Sequence, residues 1–321
     1  LYLVWLVIEK PAGARAGLAL LLISIPQVIY VYSYSNSDAW SLTVSGALFY
    51  FVLQNPVFPL RLSHALAFGS LSALVILAKE SFWTILLVAS LLLLWKLLPH
   101  RHELVRRTTI LWLLTWVNST LLLIAPLKII YPLSQGNFWG KAEAMRQERA
   151  WEAFKPDRIS QPGYRLASRN YPFTEVVLNP NWYIYSIQSL YGFFGHLRNP
   201  MSLPLYGSAS VGFLLQFGLA AYTIYFNWTR LSAQTRTLLW LTFATVIVSV
   251  GASLYNSWTY DLQWQGRYLF PILIPLGALL GSLWEYESRR VRLLRAVGWV
   301  GLFFLGQYGL WKYVILNPAL S

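Results

Sequence analysis

The sequence predicts an all-α membrane protein: a polytopic bundle of about nine full transmembrane spans and a partial first helix, with one long outer loop. Three observations carry that prediction. Hydrophobic residues make up 56% of the 321-residue chain and charged residues only 12%, too little charge to cover a soluble domain of this length. Aromatic residues reach 17%, with 16 Trp and 20 Tyr, a composition suited to belts at two headgroup layers. The Lys and Arg residues behind the net charge of +13 fall in short stretches between apolar runs, a topology signature that argues against a nucleic-acid groove. With no Cys there is no disulfide, thiol nucleophile or thiolate-held metal, and four His argue against a zinc site.

In chain order, the opening run 1–8 reads as the tail of a helix that begins upstream, and it lacks the basic start of a signal peptide. Apolar stretches of spanning length follow at about 17–34, 39–54, 61–78, 80–98, 108–131, 204–227, 235–256, 266–286 and 293–315. The chain therefore divides into N-terminal transmembrane helices (1–131), an extracytoplasmic loop with short interfacial helices (132–203) and C-terminal transmembrane helices (204–321). Within the loop, 141–154 reads as a short charged helix. The aromatic run 182–195 is too short to span and is expected to lie in the interface or re-enter.

Loop charge gives the expected orientation. Lys10 and Arg15; Arg61; Lys96, Arg101, Arg106 and Arg107; Arg230 and Arg236; and Arg289, Arg290, Arg292 and Arg295 occupy strictly alternate loops. Those loops are assigned to the cytoplasm, and 132–203 to the outer side of the membrane. Helices running inward then begin near residues 39, 80, 204 and 266, and three of these starts carry ionisable groups: Asp38, the Lys79–Glu80 pair and Arg267.

A helix start presents unpaired N–H groups and partial positive charge, so a mixed cation–carboxylate cluster there suits a phosphate with an acid or base beside it. Each member also has a plainer reading. Asp38 is placed to cap a helix, Lys79–Glu80 to form the solvated tip of a helical hairpin, and Arg267 to snorkel to headgroups or pair with Asp261. His196 stands alone in an aromatic loop and reads as structural. The most informative stretch is Gln265-Gly266-Arg267-Tyr268-Leu269-Phe270-Pro271, which sets a permanent cation where an apolar helix begins. Such an arginine is costly unless it meets an anion, water or headgroups.

The order of these pieces resembles the GT-C superfamily of membrane glycosyltransferases, and within it the bacterial membrane proteins of unassigned function related to protein mannosyltransferases. Asn36-Ser37-Asp38 resembles the group's Asn-x-Asp loop, and Leu77-Ala78-Lys79-Glu80-Ser81-Phe82 its Leu-Thr-Lys turn. Ser189-Leu190-Tyr191-Gly192-Phe193-Phe194-Gly195, continued by Pro200 to Tyr206, and the stretch 265–271 are similar to the two most distinctive motifs of the unassigned family. The resemblance implies a transferase that moves a sugar from a polyprenyl-phosphate donor to a glycan, lipid or protein acceptor at the outer face of a bacterial inner membrane. Asp38 would be the catalytic-site acid, with Arg267, Lys79, Glu80, Tyr268, Gln265 and Asp261 lining the substrate. It makes no cofactor certain and is compatible with a divalent magnesium or manganese ion at Asp38. The group's essential acid belongs to a first outer loop, which the resemblance sets ahead of Leu1. A non-catalytic lipid-linked glycan flippase, or a structural subunit of a membrane assembly, would share the outer cations.

Overall fold

The structure is a computed structural model that describes residues 14–33, 36–54, 61–103, 107–125, 147–148, 155, 166–167, 170–194, 199–259 and 265–316. The expected tail at 1–8, most of the charged helix at 141–154, His196 and Asp261 lie outside the described residues. What is described is nearly all helical: α1 (Ala14–Ile23), α2 (Pro26–Tyr32), α3 (Ser37–Gln54), α4 (Leu62–Leu77), α5 (Trp83–Leu97), α6 (Arg107–Ala125), α7 (Phe173–Val177), α8 (Pro180–Gly192), α9 (Leu203–Asn227), α10 (Ala233–Thr259), α11 (Phe270–Leu283) and α12 (Arg289–Leu310). Short 3-10 turns lead into α5 and α11, and an antiparallel bridge joins Phe193 to Pro200.

Five helical stretches, Glu80–His100, Leu203–Asn227, Ala233–Thr259, Gly266–Tyr286 and Arg289–Ile315, are long and apolar enough to cross a membrane, while Leu62–Leu77 and Thr109–Ala125 are apolar but shorter. The chain is an integral membrane protein of helical hydrophobic segments. The apolar run 17–34 is not one helix. Pro26 has no N–H to donate, α1 stops before it, and Ser24 turns its hydroxyl back onto Leu20 O at 2.7 Å. The aromatic run near 182–195 forms the thirteen-residue helix α8, too short to span, as expected.

Contacts divide the chain into two compact units. The first comprises 1–46, 183–249 and 265–321. Its tightest seam joins α1 to α11 through small residues. A Cβ on Gly17 would strike the backbone of Gly277 and Gly281, and one on Gly277 would come within 2.6 Å of Leu18 Cα. Gly277 and Gly281 form a small-xxx-small pair, the device by which helices approach closely where lipid supplies no hydrophobic drive. In the same unit α9 packs on α12, with Leu302 filling the space over Gly212 and the Gln216 amide donating to Arg295 O at 3.2 Å.

The second unit comprises 47–182 and 250–264. There α4 and α6 meet with Gly69 directly beneath Ser119, Thr120 donating to Gly69 O at 3.1 Å, and Phe68 lying against Trp112 and Trp116. A smaller cluster packs Val176, Trp182 and Leu254 together, and the Trp182 indole donates to Ser257 Oγ at 2.9 Å. Lys96, counted among the cytoplasmic loop cations, is partly buried and donates to Val52 O and Leu53 O at 2.6 and 2.7 Å, satisfying carbonyls at the end of α3.

Gly277→Leu is expected to wedge α1 from α11 and to cost about 1–3 kcal/mol. Thermal unfolding of the detergent-purified protein checks this, with the open Gly46 carrying the same substitution as the control.

Candidate anion-binding site at two helix starts

Asn36 precedes α3, and its side chain accepts from the Asp38 N–H at 2.7 Å while its carbonyl accepts from Trp40 N at 3.4 Å. That is N-cap geometry. The capping role that the sequence offered to Asp38 therefore belongs to Asn36, two residues earlier. Asp38 stands instead inside the first turn, only 1% exposed, where a carboxylate gains from the unpaired N–H groups around it.

What Asp38 faces is Arg267. The Arg267 Nη1 lies 3.6 Å from Asp38 Oδ2, and its Nε donates to Gln265 Oε1 at 2.6 Å. The guanidinium side chain is 31% exposed, so it is held from two sides and open on a third. Arg267 sits in the 3-10 turn Gly266–Leu269 that opens α11, with Tyr268 N donating to Gln265 O at 3.0 Å. Two helix starts are thus brought to one place, one carrying an enclosed carboxylate and the other a half-open cation.

Gly266 is the residue that permits this turn. A Cβ there would run into the backbone of Ser186 and Leu190 on α8, and the Gly266 N–H donates to Ser189 Oγ. The two most distinctive sequence stretches, 189–195 and 265–271, therefore touch through backbone. The rest of the first stretch is also tied down. Tyr206 donates its hydroxyl to Gly192 O at 2.5 Å and accepts from Met201 N at 3.1 Å, and Phe193 N donates to Gln27 Oε1 at 3.1 Å.

Of the residues expected to line a substrate, Asp38, Gln265, Arg267 and Tyr268 share the first unit. Lys79 and Glu80 belong to the second, where Lys79 precedes the 3-10 turn Glu80–Phe82 and Glu80 is exposed. The tight connection from α4 to α5 through Ala78 matches the hairpin-tip reading of this pair. Arg267 pairs with Asp38, and the alternative partner Asp261 lies outside the described residues. Among the described residues no three His, Asp or Glu side chains converge. A lone carboxylate already facing a guanidinium is a poor ligand set for a divalent cation, and no metal is assigned to it.

No family model, curated protein or solved structure matches the chain. The site stands on its own geometry.

Sequence reasoning missed a second charged pair, at the other end of α11. Arg295, expected in a solvated loop, is 0% exposed in the second turn of α12, and its Nη2 lies 2.6 Å from Glu287 Oε1. The sequence signal was a carboxylate immediately ahead of an arginine run, Glu287-Ser288-Arg289-Arg290-Val291-Arg292. Burial pushes the Glu287 carboxyl up from 4.5 to about 7, against the opposing pull of Arg295 and Arg292.

Two outcomes follow. Asn36→Ala is expected to cost about 1 kcal/mol through loss of the cap, measured by thermal unfolding. Because the folded-state value of Glu287 is raised, its contribution to stability is full below pH 4.5 and is lost as pH climbs towards 7. Unfolding midpoints should therefore fall across that window, and Glu287→Gln should flatten the slope; an unchanged slope in the variant would assign the pH dependence elsewhere.

Proposed function

We propose that this chain is a membrane glycosyltransferase that moves a sugar from a polyprenyl-phosphate donor to an acceptor at the outer face of the membrane. The observation that carries the reading is the Asp38–Arg267 pair: an enclosed carboxylate and a half-open guanidinium held at two helix starts. The alternating loop cations support an outer position for that end, with about nine spans in total, and the resemblance of stretches 36–38, 77–82, 189–206 and 265–271 supports the donor class.

The chemistry is a direct, inverting displacement. The acceptor hydroxyl oxygen attacks the anomeric carbon, the bond from that carbon to the donor phosphate oxygen breaks, and the hydroxyl proton passes to a carboxylate. Negative charge grows on the departing phosphate, where a guanidinium fork fixed by Gln265 stabilises it in the transition state. Asp38 orients the acceptor and keeps Arg267 aimed. The family's base belongs to its first outer loop. Tyr268 and the aromatic residues of α8 suit the walls of a lipid or sugar pocket.

A flippase for lipid-linked glycans would set ionisable groups near mid-span. Among the described residues the buried charged side chains are Asp38, Glu287 and Arg295, and all stand in or beside the first two turns of a helix. That favours the enzyme.

Arg267→Ala is expected to lower transfer of labelled sugar from a polyprenyl-phosphate donor by at least about a hundredfold in membranes holding the full-length protein. Undiminished transfer would remove the phosphate role. Donor translocation without transfer by the unmodified protein would establish the flippase instead.

A further inference from the structure

The arginine-rich start of α12 belongs to no part of the proposed reaction. It lies past the far end of α11 from Arg267, in the first unit. Arg289 and Arg290 are exposed and Arg292 is half-buried. The Arg292 Nε is enclosed and has no hydrogen-bond partner, and the Arg295 Nε and Nη1 likewise have none. The carboxylates here are Glu287, which is committed to Arg295, and the exposed Glu285, so two positive charges remain over.

From these residues an exposed apolar stripe runs down the same helix at helical spacing: Leu294, Val297, Phe304 and Trp311, with Gly301 between them. A Cβ on Gly301 would meet nothing within 4 Å, so the stripe carries a notch at its centre. From Leu294 to Trp311 it measures about 26 Å at the rise of an α-helix, close to the roughly 30 Å of hydrocarbon in a bilayer.

We infer that this face is a binding site for an anionic phospholipid, its phosphate held by the exposed Arg289 and Arg290 and an acyl chain lying along Val297, Gly301 and Phe304. Charge complementarity commits the head of the site to an oxyanion, and the apolar stripe beneath commits that oxyanion to a lipid rather than to free phosphate. Arginine suits the role because its planar fork matches phosphate oxygens. The buried Glu287–Arg295 pair lies on the inward side of α12, away from the stripe. With Glu287 taken up there, the exposed arginines keep their charge for an external partner.

The test uses the full chain in detergent, titrated separately with phosphatidylglycerol, phosphatidylcholine and inorganic phosphate. Adduct counting by native mass spectrometry and the unfolding midpoint are the readouts. The expected result is a saturable adduct and a midpoint rise with phosphatidylglycerol, a much weaker response to phosphatidylcholine, and none to phosphate. Arg289→Gln/Arg290→Gln, at exposed positions, should weaken phosphatidylglycerol binding roughly thirtyfold while leaving the weak phosphatidylcholine response in place. Gly301→Leu should weaken both lipids alike by filling the notch. Equal binding of the two lipids, a midpoint rise reproduced by inorganic phosphate, or a double variant that keeps its preference for phosphatidylglycerol would each overturn the site. None of these outcomes depends on sugar transfer.

Discussion

A backbone N–H or C=O without a partner costs several kcal/mol in hydrocarbon, and that constraint orders this protein. Within the apolar helices several hydroxyls are satisfied by their own helix backbone. The hydroxyls of Ser41, Thr223, Thr242 and Thr245 each donate to a carbonyl four residues earlier. Among the described residues the buried charges lie within two turns of a helix end. Asp38 sits in the opening turn of α3, the Lys96 ammonium meets the last carbonyls of the same helix, Arg267 precedes α11, and Glu287 occupies the gap between α11 and α12. Helix ends are the places where a charge finds unpaired backbone groups of the opposite polarity.

Close approach of backbones is the second determinant, and glycine supplies it at the points that matter. Gly17, Gly277 and Gly281 let α1 lie against α11, while Gly266 lets the turn before α11 lie on α8. The aim of Arg267 is therefore set in part by Ser186, Ser189 and Leu190, residues some eighty positions away in sequence. Residues 186–190 and the turn 265–269 are one structural piece: the second cannot keep its turn unless the first keeps its helix in place.

Much of this was legible in the chain. The helical class follows from composition, and the start of α11 at Gly266–Arg267 follows from a cation and a proline flanking an apolar run. The charge at Asp38 and the turn at Lys79–Glu80 were legible as helix-start signals. What was not legible is partnership. Asn36 and Asp38 are both good capping residues, and only the hydrogen bond from Asp38 N to the Asn36 side chain decides between them. Arg295 reads as one of four arginines in a basic loop, and nothing local says that the second turn of α12 faces inward onto α9 with Glu287 beside it. The break at Pro26 was written in the sequence, yet hydropathy averaged over the run 17–34 hides it.

The two charged pairs at opposite ends of α11 use the same side-chain chemistry to different ends, and distance with enclosure makes the difference. Glu287 and Arg295 are 2.6 Å apart and wholly enclosed, so separating them would leave two bare charges in a dry interior. That pair is a fastening. Asp38 and Arg267 stand 3.6 Å apart, longer than a charge-assisted hydrogen bond, with the arginine about a third exposed and already gripped at Nε by Gln265. An incoming oxyanion can take the open edge of that fork without removing the Gln265 contact that aims it. The carboxylate left behind keeps the positive end of α3 and its neighbouring N–H groups as compensation. The half-open pair is therefore the one of the two able to exchange a partner, and the backbone that carries its arginine is held by Gly266 and Ser189.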